Sequence, residues 1–277
     1  MAERILLAGC GDVGLRVAAG LLARGDEVWA LRRSPLRENV PGLRWLGVDL
    51  TEPRTLGNLP AGIDRVVYLP APDVRDKAAY RALFVDGLRH LLEALDTHAL
   101  KQVLLVSSSA VYGEHDGDWV DEDTPPAPLG FNGALLLEAE QWLAAQAVPS
   151  TVLRLAGLYG PGRMQLVERL RSGAQRVPRE IPHWANRIHV DDAAAAIGHL
   201  LRLPAPSPLY LGVDDTPLLL DELCDFIAQL LDAPLPREGA APVGVGSKRL
   251  GNARLRASGW APRWPDARDG YAALLDT

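Results

Sequence analysis

The feature that most constrains the fold is a glycine-rich segment near the start of the chain, Gly9–Gly14, which reads Gly-Cys-Gly-Asp-Val-Gly. It follows the apolar run Arg4–Ala8 directly and opens a stretch, Gly14–Arg24, in which apolar residues recur with helical spacing. A strand, a glycine turn and a helix in this order are typical of a dinucleotide-binding α/β unit. The first glycine permits a tight turn, the second lets the backbone approach a pyrophosphate, and the third lets the helix pack closely on the strand.

Free N–H groups at the start of this predicted helix are expected to face an anion. The cofactor contacts predicted within the segment are Gly9, Gly11, Asp12, Val13 and Gly14. The alternative is a glycine-rich connection that binds no ligand. Cys10 lies among the same N–H groups, which favour a lowered thiol pKa, but a small side chain that fills a tight turn is the simpler interpretation.

The first half of the chain repeats a pattern of short apolar runs, turns and stretches of helical period. Strands are predicted at residues 4–8, 27–31, 43–48, 65–69, 102–107 and 151–155, and helices at 14–24, 76–95, 133–146, 191–203 and 221–231. Apolar strands that alternate with helices are typical of a parallel sheet covered on both faces. We therefore predict an α/β fold with a doubly wound parallel sheet.

The local amino-acid composition changes after about residue 204, where the chain becomes rich in proline and glycine. This predicts a Rossmann domain over residues 1–160, to which residues 186–203 return. Residues 161–185 and 204–277 would then form a smaller substrate lobe.

Composition narrows the classes of partner. The formal net charge of −6 disfavours nucleic acid, because phosphate neutralisation needs a basic surface. The two cysteines are too few for a disulfide framework and lack metal-ligand spacing, so no metal is expected. No signal peptide or membrane span is evident, and we expect a cytoplasmic protein that does not bind membranes.

The end of the second predicted strand indicates which dinucleotide is preferred. Sites that prefer NAD usually carry an acidic residue there, to bind the ribose 2′-hydroxyl. Here the position holds Arg32 and Arg33, whose guanidinium groups suit a 2′-phosphate, so NADP(H) is favoured over NAD. The alternative is that both arginines are simply solvated. After the third strand, Asp49, followed by Leu50, is placed to accept from an adenine amino group, or else to cap the turn before Thr51.

Four further segments extend the pattern, namely Val66–Ala71, Val106–Gly113, Leu153–Gly162 and Asn186–Asp192. With these, the chain resembles the extended and atypical short-chain dehydrogenase/reductases, specifically the NAD-dependent epimerase/dehydratase family. The resemblance spans nearly the whole length and implies a small-molecule substrate and a homodimer. It also implies cofactor contacts at Leu69, Pro70, Ala71 and Ser107.

The same resemblance implies the catalytic residues. Ser108 corresponds to the hydroxyl that hydrogen-bonds the substrate oxygen. The family's Tyr-x-x-x-Lys pair, however, corresponds to Asn132 and Leu136, which neither titrate near neutral pH nor carry charge. Ser109 and Ala110 stand where sugar 4,6-dehydratases carry Asp and Glu, which disfavours that reaction.

Other groups are available for proton transfer, each with a structural alternative. They are Tyr112, Tyr159, His115, His183 and His189, of which His189 is best interpreted as a packed, hydrogen-bonded histidine. Arg154 is expected to bond the region of Asp191, with a role in substrate binding as the alternative. Trp119 and Trp184 are candidates to line a pocket or to pack in a core.

Two functions follow from these residues. The first is an NAD(P)(H)-binding oxidoreductase or epimerase-like enzyme in which Ser108 and Asn132 act on a small molecule. The second is a non-catalytic NADP(H)-binding sensor or regulatory protein with a degenerate active site.

Overall fold

The computed structural model describes residues 2–34 and 40–276. Its strands are β1 (Arg4–Ala8), β2 (Glu27–Arg32), β3 (Leu43–Gly47), β4 (Arg65–Tyr68), β5 (Gln102–Ser108), β6 (Trp119–Val120), β7 (Ser150–Leu155), β8 (Gly157–Tyr159), β9 (Arg176–Val177), β10 (Trp184–Ala185), β11 (Arg187–His189), β12 (Leu209–Gly212), β13 (Leu218–Leu219), β14 (Arg237–Glu238) and β15 (Arg249–Leu250). Its α-helices are α1 (Asp12–Leu22), α2 (Lys77–Tyr80), α3 (Gly87–Ala94), α4 (Phe131–Ala144), α5 (Gln165–Arg171), α6 (Val190–Leu200), α7 (Leu220–Leu230), α8 (Ala253–Ala257) and α9 (Ala267–Leu275).

Seven strands form the main sheet, in the order β12-β7-β5-β4-β1-β2-β3. The ladders from β3 through β2, β1 and β4 to β5 are parallel. The chain runs from β1 outward to β2 and β3, then returns to add β4 and β5 on the other side of β1. This reversal places the end of β1 at the topological switch point, where open α/β sheets bind ligands. The predicted doubly wound α/β fold is confirmed.

Register brings the carboxyl ends of three strands together. Ala8, the last residue of β1, pairs with Leu31 of β2 and with Tyr68 of β4. The β1 side chains from Ile5 to Ala8 are buried, as expected for a strand covered on both faces. The segments that follow these strands, including the glycine loop, therefore start at one edge of the sheet.

The single long helix predicted over residues 76–95 is interrupted. Between α2 and α3 the chain forms a π-helical segment, Arg81–Asp86, in which the N–H of Gly87 bonds the carbonyl of Ala82, five residues back. The hydroxyl of the buried Tyr68 donates to the carbonyl of Leu83, 2.5 Å away, which an α-helical Gly87 would otherwise have used. A side-chain hydroxyl thus replaces one rung of the helix, as at other helix interruptions.

The chain divides into two compact units. The first comprises residues 1–108, 131–153 and 194–209, and the second comprises 109–130, 154–193 and 210–277. The sequence-based division differs from this grouping, because it assigned 109–130, 154–160 and 186–193 to the dinucleotide-binding domain and 204–209 to the substrate lobe.

The second unit has its own apolar core. Helices α5, α7 and α9 contribute to it, with Val167, Leu223, Ile227 and Tyr271 among the buried residues. Across the part of the chain that the structure describes, no helix is both long and apolar enough to span a membrane.

Candidate functional site

The glycine loop links β1 to α1 and begins with a residue that only glycine can occupy. Gly9 has a φ of +86°, and a Cβ there would lie 2.3 Å from Cα of Pro70. The N–H groups of Gly9 and Cys10 both donate to the carbonyl of Leu31, at 3.1 and 3.0 Å. The loop after β1 is therefore held against the segment after β4 and the end of β2.

The other two glycines have different surroundings. A Cβ on Gly14 would lie 2.9 Å from Sγ of Cys10 and 3.5 Å from Leu69, so Gly14 permits close packing of helix and loop. Gly11 is the N-cap of α1, and beyond its chain neighbours and the backbone of its own helix no described atom lies within 4 Å of a Cβ placed there. Internal packing explains Gly9 and Gly14, whereas at Gly11 the backbone faces open space.

Cys10 serves as packing within this loop. Its side chain is fully buried, and burial raises the pKa of its thiol to about 12. The packing interpretation is confirmed, and the hypothesis of a lowered pKa is wrong because loss of hydration outweighs any favourable field from the helix N–H groups.

The two arginines at the end of β2 differ in environment. Arg32 is half-buried, and its charge acts on the thiol of Cys10, which places it near the glycine loop. Arg33 is exposed and forms an ion pair with Asp73, in the segment after β4. Arg32 therefore lies near the glycine loop, whereas Arg33 is paired with the carboxylate of Asp73 at the surface.

Asp49 caps a turn, as one of its two interpretations predicted. Its Oδ1 accepts from the N–H of Thr51 at 2.9 Å and from the Thr51 hydroxyl at 2.7 Å. Leu50 is buried, and its carbonyl lies 3.2 Å from Nδ1 of His90. Among the other predicted cofactor contacts, Pro70 is buried against Gly9, whereas Ala71 is exposed.

A buried hydrogen bond joins the carboxyl end of β5 to α4. The hydroxyl of Ser107 donates to Oε1 of Glu140, and both side chains are buried. Ser108, the last residue of β5, is half-buried, as is Asn132 in the first turn of α4. One turn further along, Leu136 is buried among apolar residues, at the position where the resemblance implies a lysine.

In the second unit, the two candidate tyrosines are buried. The Tyr112 hydroxyl donates to the carbonyl of Asp121 at 2.8 Å and accepts from Nη1 of Arg154 at 2.7 Å. Tyr159 stacks on Tyr271, with ring centroids 4.5 Å apart. Burial raises the pKa of Tyr159, and its hydroxyl has no hydrogen-bond partner within residues 2–34 and 40–276. Neither arrangement resembles a phenol activated for proton transfer.

The candidate histidines also differ. His189 packs against Tyr159 and Trp264, and its Nδ1 accepts from the N–H of Asp191 at 3.2 Å, so the packed interpretation is confirmed. His183 is buried, and burial lowers its pKa, so that it is neutral near pH 7. His115 is half-buried beside the ring of Tyr112.

The two candidate tryptophans flank a cation. The Arg249 guanidinium lies 5.1 Å from the ring of Trp119 and 5.0 Å from the ring of Trp184. The Trp119 side chain is exposed. Both tryptophans therefore make cation–π contacts with Arg249 in the second unit, and the exposed Trp119 is not part of a core.

Several buried ionisable groups among the described residues were not identified from the sequence as functional candidates. Three of them are Glu140, Asp214 and Lys248. Burial, with a smaller contribution from Asp266, raises the pKa of Asp214 to about 8. No sequence signal distinguishes Asp214 or Lys248 from the surface charges that surround them in loop sequences.

Comparisons with known proteins agree with this geometry. A solved structure from Methylobacillus flagellatus, provisionally assigned as an NAD-dependent epimerase/dehydratase, is 40% identical, with a TM-score of 0.84 over 100% of this chain and 98% of that one. MoeE5 in complex with UDP-glucose and NAD is 25% identical, with a TM-score of 0.82 over 99% of this chain and 98% of that one.

A curated relative and a family model extend the comparison. Protein YeeZ of Escherichia coli K12 is 30% identical over 221 residues, which cover 75% of this chain and 76% of YeeZ. The family model describes NAD dependent epimerases and dehydratases and matches residues 5–209, most of the chain. This protein belongs to the NAD dependent epimerase/dehydratase family.

Proposed function

We propose that this chain is an NAD(P)(H)-binding oxidoreductase or epimerase-like enzyme that acts on a small molecule. The observation that carries the proposal is the glycine loop, in which Gly9 fixes a tight turn and Gly11 leaves open space at the start of α1. A backbone exposed in this way at a helix N-terminus suits a pyrophosphate. The similar protein MoeE5, bound to NAD and UDP-glucose, supports the same class of cofactor and a small-molecule ligand beside it.

NADP(H) is the proposed preference. The charge of Arg32 acts on Cys10 in the glycine loop, and Arg33 follows it at the end of β2 and pairs with Asp73, which supports binding of a 2′-phosphate by these two guanidinium groups. For NADP(H) to gain from Arg33, the 2′-phosphate must compete with the carboxylate of Asp73. NAD, the cofactor bound to MoeE5, is the alternative.

Substrate chemistry is assigned to the end of β5. Ser108 would donate a hydrogen bond to a carbonyl or hydroxyl oxygen, and Asn132 would help to orient it. In a reduction, a bound nicotinamide would supply the hydride and water the proton, and in the reverse oxidation the hydride would pass to the nicotinamide and the proton to water. Because a matched general acid typically contributes about 10²- to 10⁴-fold, such an enzyme is expected to be slow.

The second candidate function is a non-catalytic NADP(H)-binding sensor. The observation in its favour is Leu136, a buried apolar residue in α4 at the position where the family resemblance implies a catalytic lysine. An intact glycine loop without that lysine is what a sensor would retain.

One experiment separates the two functions. The protein is titrated with NADPH and NADH, and NAD(P)H absorbance is then followed with aldehydes, ketones and nucleotide sugars. The enzyme predicts turnover that falls on Ser108→Ala at unchanged cofactor affinity. Tight binding without turnover, and without any effect of Ser108→Ala, supports the sensor, and failure to bind either dinucleotide contradicts both.

A further inference from the structure

Lys248 is the buried member of the chain's three lysines, the others being the exposed Lys77 and Lys101. Its side chain is only 3% exposed. Nζ donates to the carbonyl of Gly246 at 3.0 Å and to that of Gly113 at 3.5 Å. An ammonium group has three N–H donors, so these carbonyls leave one donor available.

The charge of Lys248 is buried without a directly bonded counter-ion. Within the described residues, no carboxylate oxygen lies within the 4.0 Å that defines an ion pair with Nζ. Glu114 is the acid whose charge acts on Lys248, but its oxygens accept from the N–H groups of His115, Asp116 and Ser247, at 2.9 to 3.0 Å. Glu114 therefore orders its own loop, and a buried cation that lacks a paired carboxylate favours an added anion.

His183 adds a second donor beside this cation. It is 5% exposed, and its ring makes no hydrogen bond with any residue that the structure describes. The charges of Lys248 and Glu114 both act on it, which places the three side chains close together. Because burial keeps the imidazole neutral near pH 7, one ring nitrogen carries a hydrogen that can be donated.

Two of the three charges that act on His183 are positive. Arg249 follows Lys248 directly and contacts the rings of Trp119 and Trp184, and its Nε donates to the carbonyl of Gly117 at 2.7 Å. The charge of Arg187 also acts on His183. At His183 the cations Lys248 and Arg187 outnumber Glu114 and favour an anion, although the adjoining loop also carries Asp116 and Asp118, of which Asp118 accepts from the N–H of Arg249 through its backbone carbonyl.

We propose that Lys248 and His183 form an oxyanion-binding site in the second unit, beside Gly113, which takes the carboxylate or phosphate group of a small molecule. The remaining N–H of Lys248 and the N–H of His183 bind the anion oxygens, and the anion compensates the buried charge. That the anion is part of the substrate rests on the function proposed above. The anion-binding site itself can be tested without any turnover.

The test uses the full-length protein with ¹⁵N-labelled lysine, whose three side-chain resonances are assigned with Lys77→Arg and Lys101→Arg. Inorganic phosphate and acetate are titrated separately, with chloride holding the ionic strength constant. We expect the Lys248 resonance to shift saturably while those of Lys77 and Lys101 stay in place. The tighter anion identifies a phosphate or a carboxylate as the preferred group.

A Lys248 resonance that stays unchanged with both anions overturns the proposal, whatever the result of the dinucleotide titration. A second readout is the His183 ring signal, whose phosphate-induced shift should be lost in Lys248→Met and kept in the matched control Lys77→Met. If the shift of His183 persists in a folded Lys248→Met protein, Lys248 is not the anion ligand. If Lys248→Met does not fold, the wild-type titration alone decides.

Discussion

The hydroxyl of Ser107 donates a hydrogen bond to the carboxylate of Glu140, and this buried pair fixes the end of β5 against α4. Ser108 and Asn132, the two residues proposed to contact substrate, lie at the ends of the elements that the pair joins. The position of the proposed substrate-binding groups therefore depends on a contact two helical turns away from Asn132.

Replacement of Glu140 by alanine should leave the Ser107 hydroxyl buried without an acceptor. A lost partner of this kind typically costs about 1–3 kcal/mol of unfolding free energy. Glu138→Ala, on the same helix, is the control, because Glu138 pairs with Arg81 at the surface and should contribute about 0.2–1 kcal/mol. Urea unfolding measures both, and equal losses would contradict a special role for the Ser107–Glu140 pair.

The π-helical segment makes a coupled prediction for Tyr68 and Gly87. Tyr68→Phe removes the hydrogen bond to Leu83 and should lower the unfolding free energy by about 0.5–1.5 kcal/mol. A Cβ on Gly87 would lie 2.8 Å from the Tyr68 hydroxyl, so Gly87→Ala should cost less in the Tyr68→Phe background than in the wild type. Additive costs in chemical denaturation would show that the hydroxyl is not the obstacle.

Two alanine substitutions in the glycine loop should have different effects, one on dinucleotide binding and the other on the stability of the fold. Gly11→Ala places a methyl group in open space, and the φ of Gly11, −96°, lies outside the left-handed region, so this variant should lower the unfolding free energy less than Gly9→Ala does. Dinucleotide affinity should fall, since the methyl group occupies the approach to the backbone. Gly9→Ala is the contrasting variant and should destabilise the fold itself, because of its positive φ and the clash with Pro70. Unchanged dinucleotide affinity in Gly11→Ala, measured by calorimetry, would place the cofactor elsewhere.

The ion pair between Arg33 and Asp73 should limit affinity for NADP(H). Asp73→Asn releases Arg33 and is expected to raise the ratio of NADP(H) to NAD(H) affinity. The double variant Arg32→Ala, Arg33→Ala should weaken NADP(H) by about tenfold or more, the loss expected for charge-assisted hydrogen bonds. Arg44→Ala, at the exposed pair with Glu27, is the control. Equal losses for both dinucleotides in the double variant would refute the assignment to a 2′-phosphate.

Asp214 predicts a pH dependence of stability. Its pKa of about 8 in the folded protein lies above the value of about 3.9 expected when unfolded, so folding favours the protonated form. Its contribution is therefore fully present below about pH 4 and is lost as the pH rises toward 8, by at most about 1.4 kcal/mol per pH unit.

Asp214→Asn should remove this slope, so that the variant gains stability relative to wild type between pH 5 and 9. Asp215→Asn, at the exposed neighbouring carboxylate, should reduce the slope far less, because the charge of Asp215 makes only the smallest contribution to the raised pKa of Asp214. Urea titrations across this range give both slopes, and parallel curves for wild type and Asp214→Asn would contradict the raised pKa.

Sequence patterns predicted the elements that follow from local periodicity. The strand Arg4–Ala8 has the predicted bounds, and α1 begins at Asp12, two residues before the predicted Gly14. The break in the 76–95 helix was missed, because it depends on a hydroxyl from Tyr68, which is distant in sequence. Local patterns of hydrophobicity cannot register such a contact.

The candidate functional residues also include some that the sequence predicted and some that it did not. The glycine loop was evident because its spacing is itself the binding geometry, whereas Lys248 is a lone cation in a loop sequence. Its burial results from the packing of residues near Gly113 around it, and charged side chains are usually exposed. The sequence therefore shows that Leu136 replaces the lysine implied by the family resemblance, but it does not show that Lys248 is buried elsewhere.

The contact between Gly9 and Pro70, together with the two N–H groups bonded to Leu31, has a thermodynamic consequence for ligand binding. The ends of three strands already hold the glycine loop in one conformation. A dinucleotide that binds there has little chain entropy to remove, so more of the energy of its phosphate contacts is available as affinity. Exchange of the Gly9 and Cys10 amide hydrogens should accordingly be slow before any cofactor is added.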